Sequence, residues 1–240
     1  MTDLRTFEYD HDGVALKGQL AKPAGTGPHP GVLVMHDARG LGELVQRRAR
    51  DLAAAGYVAL VTDMYGLGRR STGPEEFGPL FGALQNEPER LRARVVAGFE
   101  ALRALPEVDA GRIGAIGFCF GGQCVLELAR SGAEAQAVVS FHGLLTSRLP
   151  ARVGEVKAKV LVLTGAHDPF APIEDVRAIE AEMTAAGANW QMTLYGEGWH
   201  AFTDPTADQM TNVPGLRYDP LLAKLSWAQA TAFLDATLRG

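Results

Sequence analysis

The fold is decided by the stretch Ile113-Gly-Ala-Ile-Gly-Phe-Cys-Phe-Gly-Gly-Gln-Cys-Val-Leu-Glu-Leu-Ala-Arg130. It begins with an apolar run that fits a buried strand, turns on glycines, and continues with helical periodicity. Cys119 stands at the centre of the turn, flanked by Gly117 and Gly121. A residue on such a sharp turn has a strained backbone, and bulkier neighbours two positions away would collide with the strand and the helix. The turn therefore presents a thiol at a helix N-terminus, where the dipole favours a thiolate.

The G-x-C-x-G pattern of this turn is that of a nucleophile elbow with Cys in place of Ser. The alternative is a buried structural cysteine in a glycine-rich turn, because free cysteines are among the most buried residues. The strand before the motif and the helix after it favour the catalytic interpretation.

The composition is that of a globular protein. Of its 240 residues, 47% are hydrophobic and 21% charged, and the formal net charge is −5. We interpret residues 1–240 as a single domain. The sequence has no basic tract that would suggest nucleic-acid binding and no apolar run that would span a bilayer. Because no basic start precedes an apolar segment at the N-terminus, we expect a cytoplasmic protein.

The cysteine content points away from disulfides and metals. Cys119 and Cys124 are the two cysteines, and they lie on the same turn and helix. Their spacing does not bring them face to face, so we predict no disulfide, and too few ligands are nearby for a metal site.

Strand and helix patterns alternate along the chain. Residues 6–10 and 14–22 alternate apolar and polar side chains around a turn, which predicts an N-terminal β-hairpin. Further strands are predicted at 31–35, 57–61, 113–116, 135–141, 159–164 and 190–195, and helices at 43–55, 76–84, 89–105, 173–186 and 220–238, besides the helix after the elbow, while 62–75 is interpreted as a loop. The alternation predicts an α/β fold with a mostly parallel central sheet and helices on both faces.

Two further strand ends carry reactive side chains. Asp168 follows the strand at 159–164, and His200 follows the strand at 190–195. Reactive groups gather at the carboxyl ends of parallel strands, and the chain order nucleophile, acid, histidine is that of hydrolases with an elbow. Taken alone, Asp168 could start a turn and cap the next helix, and His200 could be a surface histidine. Together with Cys119 they predict a catalytic triad.

The sequence resembles the dienelactone hydrolase (carboxymethylenebutenolidase) family, which has the α/β-hydrolase fold. The resemblance covers nearly the whole chain and is carried by five motifs, namely His36-Asp37-Ala-Arg-Gly40-Leu, Asp63-Met-Tyr65-Gly, Gly117-Phe-Cys119-Phe-Gly-Gly122, Gly165-Ala-His-Asp168-Pro and His200-Ala-Phe202. It implies a Cys119–His200–Asp168 triad, no cofactor, and a monomer or small homo-oligomer.

The resemblance also assigns supporting roles. The oxyanion of a tetrahedral intermediate needs two N–H donors, for which we expect the backbone of Phe120, the residue after the nucleophile, and that of Ala38. An acidic residue at the position of Asp37 helps to activate the thiol in the family. Asp37 is therefore a candidate for tuning Cys119, and the alternative is that it caps the helix near Glu43.

The sequence departs from the family where the founding enzymes hold a substrate carboxylate with two arginines. The corresponding positions are Gly66 and Asp204, so dienelactone itself is doubtful as the substrate. Arg39, Arg69 or Arg70 could substitute, although solvated loop charges are the simpler interpretation. The candidates for lining a substrate pocket are Arg39, Tyr65, Phe120, Trp199 and Phe202.

These observations predict a hydrolase that cleaves a small ester or lactone through a cysteine nucleophile and a thioester acyl-enzyme. An aromatic pocket would suit an uncharged or aromatic ester, or a thioester. A thioesterase or acyltransferase with the same triad is one alternative. The other is a ligand-binding protein that keeps the fold without turnover. The sequence does not identify the substrate or say whether residues 66–79 form a lid.

Overall fold

The computed structural model describes residues 3–71 and 73–240. Its strands are β1 Arg5–His11, β2 Val14–Ala21, β3 His29–Met35, β4 Val58–Val61, β5 Val108–Phe118, β6 Ala137–Phe141, β7 Lys159–Gly165 and β8 Trp190–Tyr195. Its α-helices are α1 Glu43–Ala54, α2 Pro74–Asn86, α3 Pro88–Arg103, α4 Phe120–Arg130, α5 Ile173–Ala185 and α6 Pro220–Leu238, and a short 3-10 helix spans Ala207–Gln209.

The eight strands form one sheet in the order β1-β2-β4-β3-β5-β6-β7-β8. The β1–β2 hairpin is antiparallel, as is the β2–β4 pair, and all the other pairs are parallel. This confirms the predicted α/β fold with its mostly parallel sheet and N-terminal hairpin.

Helices cover both faces of the sheet because side chains alternate along its central strands. In β3, Leu33 and Met35 join a hydrophobic cluster with residues of α3, α4 and α5. Val32 and Val34 join a second cluster with residues of α1 and α6 on the opposite face. Both faces of the central strands are therefore buried, which accounts for their continuous apolar runs.

Element boundaries differ from the predictions mainly at β5, β6 and α2. The strand β5 begins at Val108 rather than at Ile113, β6 begins at Ala137 rather than at Ala135, and α2 begins within the segment interpreted as a loop. Pro74 is the first residue of α2, where its missing N–H costs no hydrogen bond. Asp219 caps α6 by accepting hydrogen bonds from two backbone N–H groups of its first turn.

The register of the strands brings their carboxyl ends together. Met35 of β3 is paired with Gly117 of β5, and Phe118 is paired with Phe141 of β6. Gly165 of β7 is paired with Tyr195 of β8. The loops that carry Asp37, Cys119, His142, Asp168 and His200 therefore leave the same edge of the sheet.

No helix within residues 3–71 and 73–240 is long and apolar enough to cross a membrane. Across the same residues, no group of three or more His, Cys, Asp or Glu side chains could hold a metal ion.

Candidate active site

The turn between β5 and α4 holds Cys119 in a conformation that residues with a side chain rarely adopt. Its φ is 54° and its ψ is −116°. A Cβ atom on Gly117 would lie 1.9 Å from the carbonyl oxygen of Gly121, and one on Gly121 would lie 2.2 Å from the carbonyl oxygen of Met35. The close packing thus requires glycine at both positions, as the motif predicts, and it stabilises the strained turn.

His200 and Asp168 form a buried hydrogen-bonded pair. The Nδ1 atom of His200 lies 2.8 Å from Oδ2 of Asp168, and both side chains are almost completely buried. The other carboxylate oxygen, Oδ1, accepts a hydrogen bond from the backbone N–H of Phe170 at 2.8 Å. Asp168 therefore does start a turn, but Pro172 precedes α5 and the helix has no side-chain cap. The pair fixes the imidazole so that Nε2 remains available.

Cys119 interacts with the same imidazole, and both side chains line one cavity. Burial lowers the pKa of His200, but the charge of the Cys119 thiolate and hydrogen bonds from His200 to Asp168 and Cys119 outweigh it and raise this pKa to about 10. The imidazolium is therefore stabilised whenever the thiolate is present. Cys124, in contrast, is buried in the hydrophobic cluster under α4, where burial raises the pKa of its thiol.

Two backbone N–H groups next to the thiol have no hydrogen-bond acceptor among the described residues, those of Phe120 and Ala38. Phe120 is the first residue of α4, whose N-terminus has no side-chain cap. Ala38 lies in the loop after β3 and lines the cavity. Free donors from these two loops are what an oxyanion would need.

Two neighbouring side chains hold the loop that contains Ala38. Tyr65 donates a hydrogen bond from its hydroxyl to the carbonyl oxygen of Ala38 at 2.8 Å. The Nε2 atom of the buried His36 accepts from the N–H of Met64 at 3.1 Å, which places a proton on Nδ1, 2.6 Å from the carbonyl oxygen of Asp37. Burial lowers the pKa of His36, so its ring is neutral and serves as a fixed spacer between the two loops.

The turn that carries Tyr65 is organised by Asp63. Its two carboxylate oxygens accept backbone hydrogen bonds from Lys17, Tyr65, Gly66 and Gly68, at 2.7 to 2.9 Å. Gly66 has a φ of 93°, which strains any side chain at this position. This backbone conformation explains why position 66 is a glycine, whereas the founding enzymes of the family that the sequence resembles have an arginine there.

Asp204, at the second of those positions, forms an ion pair with Arg39. Arg39 also binds the Asp37 carboxylate through Nη2, at 2.6 Å, and through Nε. The interpretation of Arg39 as a solvated charge is therefore corrected, since its side chain is 23% exposed and held between two carboxylates. Arg69 and Arg70 are exposed, as that interpretation expects, and do not line the cavity.

Asp37 is not a helix cap. The residue before α1 is Gly42, and the helix has no side-chain cap. The Oδ1 atom of Asp37 instead accepts a hydrogen bond from the backbone N–H of Arg39 at 2.7 Å. Its influence on Cys119 stays a prediction.

A cavity of about 180 Å³ opens beside Cys119 and His200. Its surface is almost entirely apolar, although three charged side chains in contact with one another take part in the lining. The lining residues are Asp37, Ala38, Arg39, Leu44, Phe77, Phe81, Cys119, His142, Leu144, Phe170, His200, Ala201, Asp204, Met210, Val213 and Leu216.

Four of the five residues that the sequence suggested for this lining lie elsewhere. Tyr65 and Phe120 are buried behind the cavity with their rings stacked at 3° to one another. Trp199 stacks on His167, and Phe202 packs under His142. Arg39 is the one suggested residue that lines the cavity. Direction of the side chain, which proximity in sequence does not reveal, separates these residues from the cavity.

The aromatic wall comes instead from residues that the sequence analysis did not select. Phe77 and Phe81 lie one helical turn apart on α2, and the Phe170 ring lies 4.8 Å from that of His200. The prediction of a loop at 62–75 is wrong at its end, because α2 begins at Pro74 and its phenylalanines form part of the cavity wall. In the preceding turn, Gly68 is hydrogen-bonded to Asp63 and Arg70 pairs with Gly40. The signal that could have identified the wall is the pair of phenylalanines at helical spacing.

His142, the residue after β6, also lines the cavity. It has a φ of 37° and is buried, with its ring centroid 5.3 Å from that of His200. Its Nε2 lies 2.8 Å from the hydroxyl oxygen of Thr203. Burial and the neighbouring His200 charge hold the pKa of His142 well below its usual range, so this ring is neutral.

Similarity to known proteins points to a hydrolase, in agreement with the geometry of the site. A sequence model described as the dienelactone hydrolase family matches residues 16–238. Among curated proteins, a Bradyrhizobium protein named "Probable 2-oxo-3-(5-oxofuran-2-ylidene)propanoate lactonase" is 29% identical over 95% of this chain and 92% of its own length.

Two solved structures superimpose over almost the whole chain. One, named m3DLH, has 38% sequence identity and a TM-score of 0.92, with 99% of each chain covered. The other, a dienelactone hydrolase-like promiscuous phosphotriesterase from metagenomic libraries, has 34% identity and a TM-score of 0.92, with 98% of each chain covered. The similarity therefore extends over the whole fold.

Proposed function

Since the chain belongs to the dienelactone hydrolase family, we propose that it hydrolyses small esters and lactones with Cys119 as the nucleophile. The family establishes a hydrolase, and the finer assignment rests on one observation. A cysteine on a strained turn interacts with a histidine whose Nδ1 is hydrogen-bonded to a buried aspartate at 2.8 Å. This arrangement supplies a nucleophile, a base and a group that orients the base.

In the acylation step, the sulfur of Cys119 attacks the carbonyl carbon of the ester. A C–S bond forms, and the electron pair of the C=O bond moves to its oxygen, which the N–H groups of Ala38 and Phe120 would bind. Removing one such donor typically costs about 3 kcal/mol of transition-state stabilisation. When the tetrahedral intermediate collapses, the C–O bond to the alcohol breaks, and His200 donates the proton that came from the thiol.

In the deacylation step, water attacks the thioester carbon while His200 accepts one of its protons. The C–S bond then breaks, the carboxylic acid leaves, and the sulfur recovers its starting state. Asp168 stabilises the imidazolium in both steps and keeps Nε2 directed at the reacting atoms. With a lactone the alcohol remains attached to the acyl group, and the same steps open the ring.

The cavity supports small, largely apolar acyl groups as substrates. Its volume of about 180 Å³ and the rings of Phe77, Phe81 and Phe170 suit short-chain or aromatic esters and lactones. A lactone substrate is also supported by the Bradyrhizobium relative, which is named as a probable lactonase.

The test is turnover of p-nitrophenyl acetate by wild type, Cys119→Ala and Cys124→Ala. We expect turnover to fall by roughly a thousandfold or more in Cys119→Ala, and to persist in Cys124→Ala, which changes the same residue type five positions away. Mass spectrometry of rapidly quenched enzyme should find the acetyl group on Cys119. Equal turnover in wild type and Cys119→Ala would refute the cysteine mechanism.

The same assay separates the alternatives. A thioesterase or acyltransferase would have a higher kcat/KM for acetyl thioesters than for the matching oxygen ester, or would transfer the acetyl group to an added alcohol. A ligand-binding protein without turnover would bind small lactones in a calorimeter and hydrolyse none of them.

A second candidate function is hydrolysis of neutral phosphotriesters. It is favoured by the 34% identical relative, a dienelactone hydrolase-like promiscuous phosphotriesterase, and by the apolar cavity next to the thiol. Sulfur would attack phosphorus, and the P–O bond to the leaving group would break. Water, losing a proton to His200, would then attack phosphorus, break the P–S bond and release the phosphodiester. Turnover of diethyl 4-nitrophenyl phosphate that disappears in Cys119→Ala would support this activity, and its absence in wild type would reject it.

A further inference from the structure

We propose that Arg39 is a carboxylate-binding residue kept occupied by Asp37 and Asp204, and that Asp204 thereby restricts the cavity to uncharged acyl groups. The inference rests on the proposed function and names the substrate class of the same site. It assigns the preference to one ion cluster, defined here as Asp37, Arg39 and Asp204.

All three nitrogens of the Arg39 guanidinium group have partners. Nε and Nη2 bind the Asp37 carboxylate, Nη2 also binds Asp204, and Nη1 donates to the hydroxyl of Thr206 at 3.1 Å. Asp204 is equally satisfied, since its Oδ1 accepts hydrogen bonds from the backbone N–H and the hydroxyl of Thr206, both at 2.8 Å. A carboxylate on a substrate would have to displace one of these partners to reach Arg39.

The charges that line the cavity work against a second anion. Its ionisable lining residues within the described chain are the ion cluster, Cys119, His142 and His200. His142 is neutral. Cys119 and His200 add no net charge when they share one proton, whichever of the two side chains holds it. Two carboxylates then face one guanidinium, which leaves one uncompensated negative charge. An anionic acyl group entering this apolar space is repelled, whereas an uncharged one is not.

Asp204, rather than Asp37, is the residue that can be changed to test this. Asp37 accepts the backbone N–H of Arg39 and therefore shapes the loop that contains Ala38. Asp204 lies on a separate segment, 165 positions away in sequence from Arg39. Its replacement by asparagine keeps the hydrogen bonds to Thr206, removes one negative charge, and leaves Arg39 held at the cavity by Asp37.

The first experiment measures alkylation of Cys119, which requires no turnover. Iodoacetamide and iodoacetate have nearly the same size and differ in charge. The measured quantity is the ratio of the alkylation rate with iodoacetamide to that with iodoacetate. We expect this ratio to be about tenfold higher for Cys119 in wild type than for free cysteine. In Asp204→Asn, where one nearby negative charge is removed, most of this difference should disappear. Asp208→Asn is the matched control, because Asp208 is exposed on the same segment and does not line the cavity.

The second experiment compares p-nitrophenyl butyrate with mono-p-nitrophenyl succinate, which share a leaving group and nearly the same chain length. Asp204→Asn should raise kcat/KM for the succinate relative to the butyrate by about tenfold. Adding Arg39→Met to Asp204→Asn should abolish this gain. The ratio of two substrates in one enzyme is unaffected by the fraction of folded protein.

The outcomes separate the two proposals. An alkylation preference in Asp204→Asn equal to that of wild type overturns the role of the ion cluster, whether or not the enzyme hydrolyses esters. Absence of Cys119-dependent ester turnover overturns the proposed function, while the alkylation ratio still decides the charge preference. An equal change in Asp208→Asn would reduce the effect to general surface charge and would also overturn the proposal.

Discussion

The hydroxyl of Tyr65 lies 2.8 Å from the carbonyl oxygen of Ala38 and joins the turn after β4 to the loop after β3. The ring of Tyr65 is buried against His36 and Phe120 and does not reach the cavity. Because Ala38 also offers a free N–H beside the thiol, this hydrogen bond positions a proposed oxyanion donor without touching a substrate.

Tyr65→Phe should lower kcat for p-nitrophenyl acetate roughly tenfold and leave KM almost unchanged, because a slightly displaced donor weakens binding of the transition state more than of the ground state. The free energy of unfolding should fall by about 1 kcal/mol, the usual effect of losing one hydrogen bond. Steady-state kinetics measures kcat and KM, and urea denaturation measures the free energy of unfolding.

Tyr57→Phe is the matched control for this variant. Tyr57 is also buried and also donates one hydrogen bond, to Asp235 at 2.8 Å, but it lies at the amino end of β4 and does not line the cavity. It should lose a similar stability and keep kcat. Equal losses of kcat in the two variants would contradict a positioning role for Tyr65.

The protonation of His200 should depend on Cys119. In wild type burial lowers the pKa of His200, but the interactions with Cys119 and Asp168 outweigh burial and raise this pKa from 6.5 to about 10. We therefore expect the imidazole to be protonated at neutral pH and to lose its proton as the pH rises toward 10. In Cys119→Ala the negative neighbour is gone and burial lowers this pKa, so the deprotonated fraction at neutral pH should increase. Imidazole nitrogen chemical shifts in NMR spectra report both states.

His142 serves as the internal reference in the same NMR experiment. Burial and the charge of His200 keep its pKa well below 6.5, so its ring should remain neutral at pH 7 in both proteins. A His200 signal that titrates identically with and without the thiol would show that the two side chains are not coupled.

Gly121→Ala should destabilise the elbow. The added Cβ would lie 2.2 Å from the carbonyl oxygen of Met35 and 2.5 Å from its carbonyl carbon, so β3 and α4 would have to move apart. We expect a loss of about 3 kcal/mol in the free energy of unfolding, together with loss of turnover. Thermal unfolding and the ester assay measure both.

Gly82→Ala provides the comparison within another helix. Nothing lies within 4 Å of a Cβ at Gly82, so this change should raise the free energy of unfolding by about 0.5–1 kcal/mol through helix propensity. A Gly121→Ala protein as stable as wild type would mean that the packing at the elbow is looser than the distances indicate.

Phe77→Ala should broaden the range of acyl chains. Phe77 on α2 lines the cavity, and truncation of its ring lengthens the space beside the thiol. We expect the ratio of kcat/KM for p-nitrophenyl octanoate to that for the acetate to rise by about tenfold, since each buried methylene contributes about 0.8 kcal/mol. Phe7→Ala, which removes a ring stacked on Tyr9 in the hairpin, should leave the ratio unchanged.

The sequence could predict the fold and the three proposed catalytic side chains because each depends on local pattern. Cys119, Asp168 and His200 each lie within five residues of the end of a predicted strand, and strands of one parallel sheet place their carboxyl ends together. Glycine at 117 and 121 indicates close backbone packing on both sides of Cys119, so the sharp turn is also predictable from the G-x-C-x-G motif.

The rest of the site depends on contacts between distant segments, which a single sequence does not contain. Arg39 meets Asp204 only because the loop after β3 and the segment after β8 lie side by side. Tyr65 was expected to line the cavity, but the four backbone hydrogen bonds to Asp63 set a turn that points its ring inward. The wall formed by Phe77 depends on how α2 packs, which helical periodicity alone does not determine.

The groups proposed to break the bond and the groups that enclose the substrate occupy different parts of the architecture. The former follow β3, β5, β7 and β8 at the carboxyl edge of the sheet. Seven of the sixteen described lining residues come instead from α2 and the segment between Ala201 and Leu216, both outside the sheet. Reactivity and selectivity are therefore separable traits in this protein. Random mutation confined to those two peripheral segments should yield folded, active variants with new substrate preferences. Natural and laboratory evolution could therefore change the substrate without changing the groups proposed to break the bond.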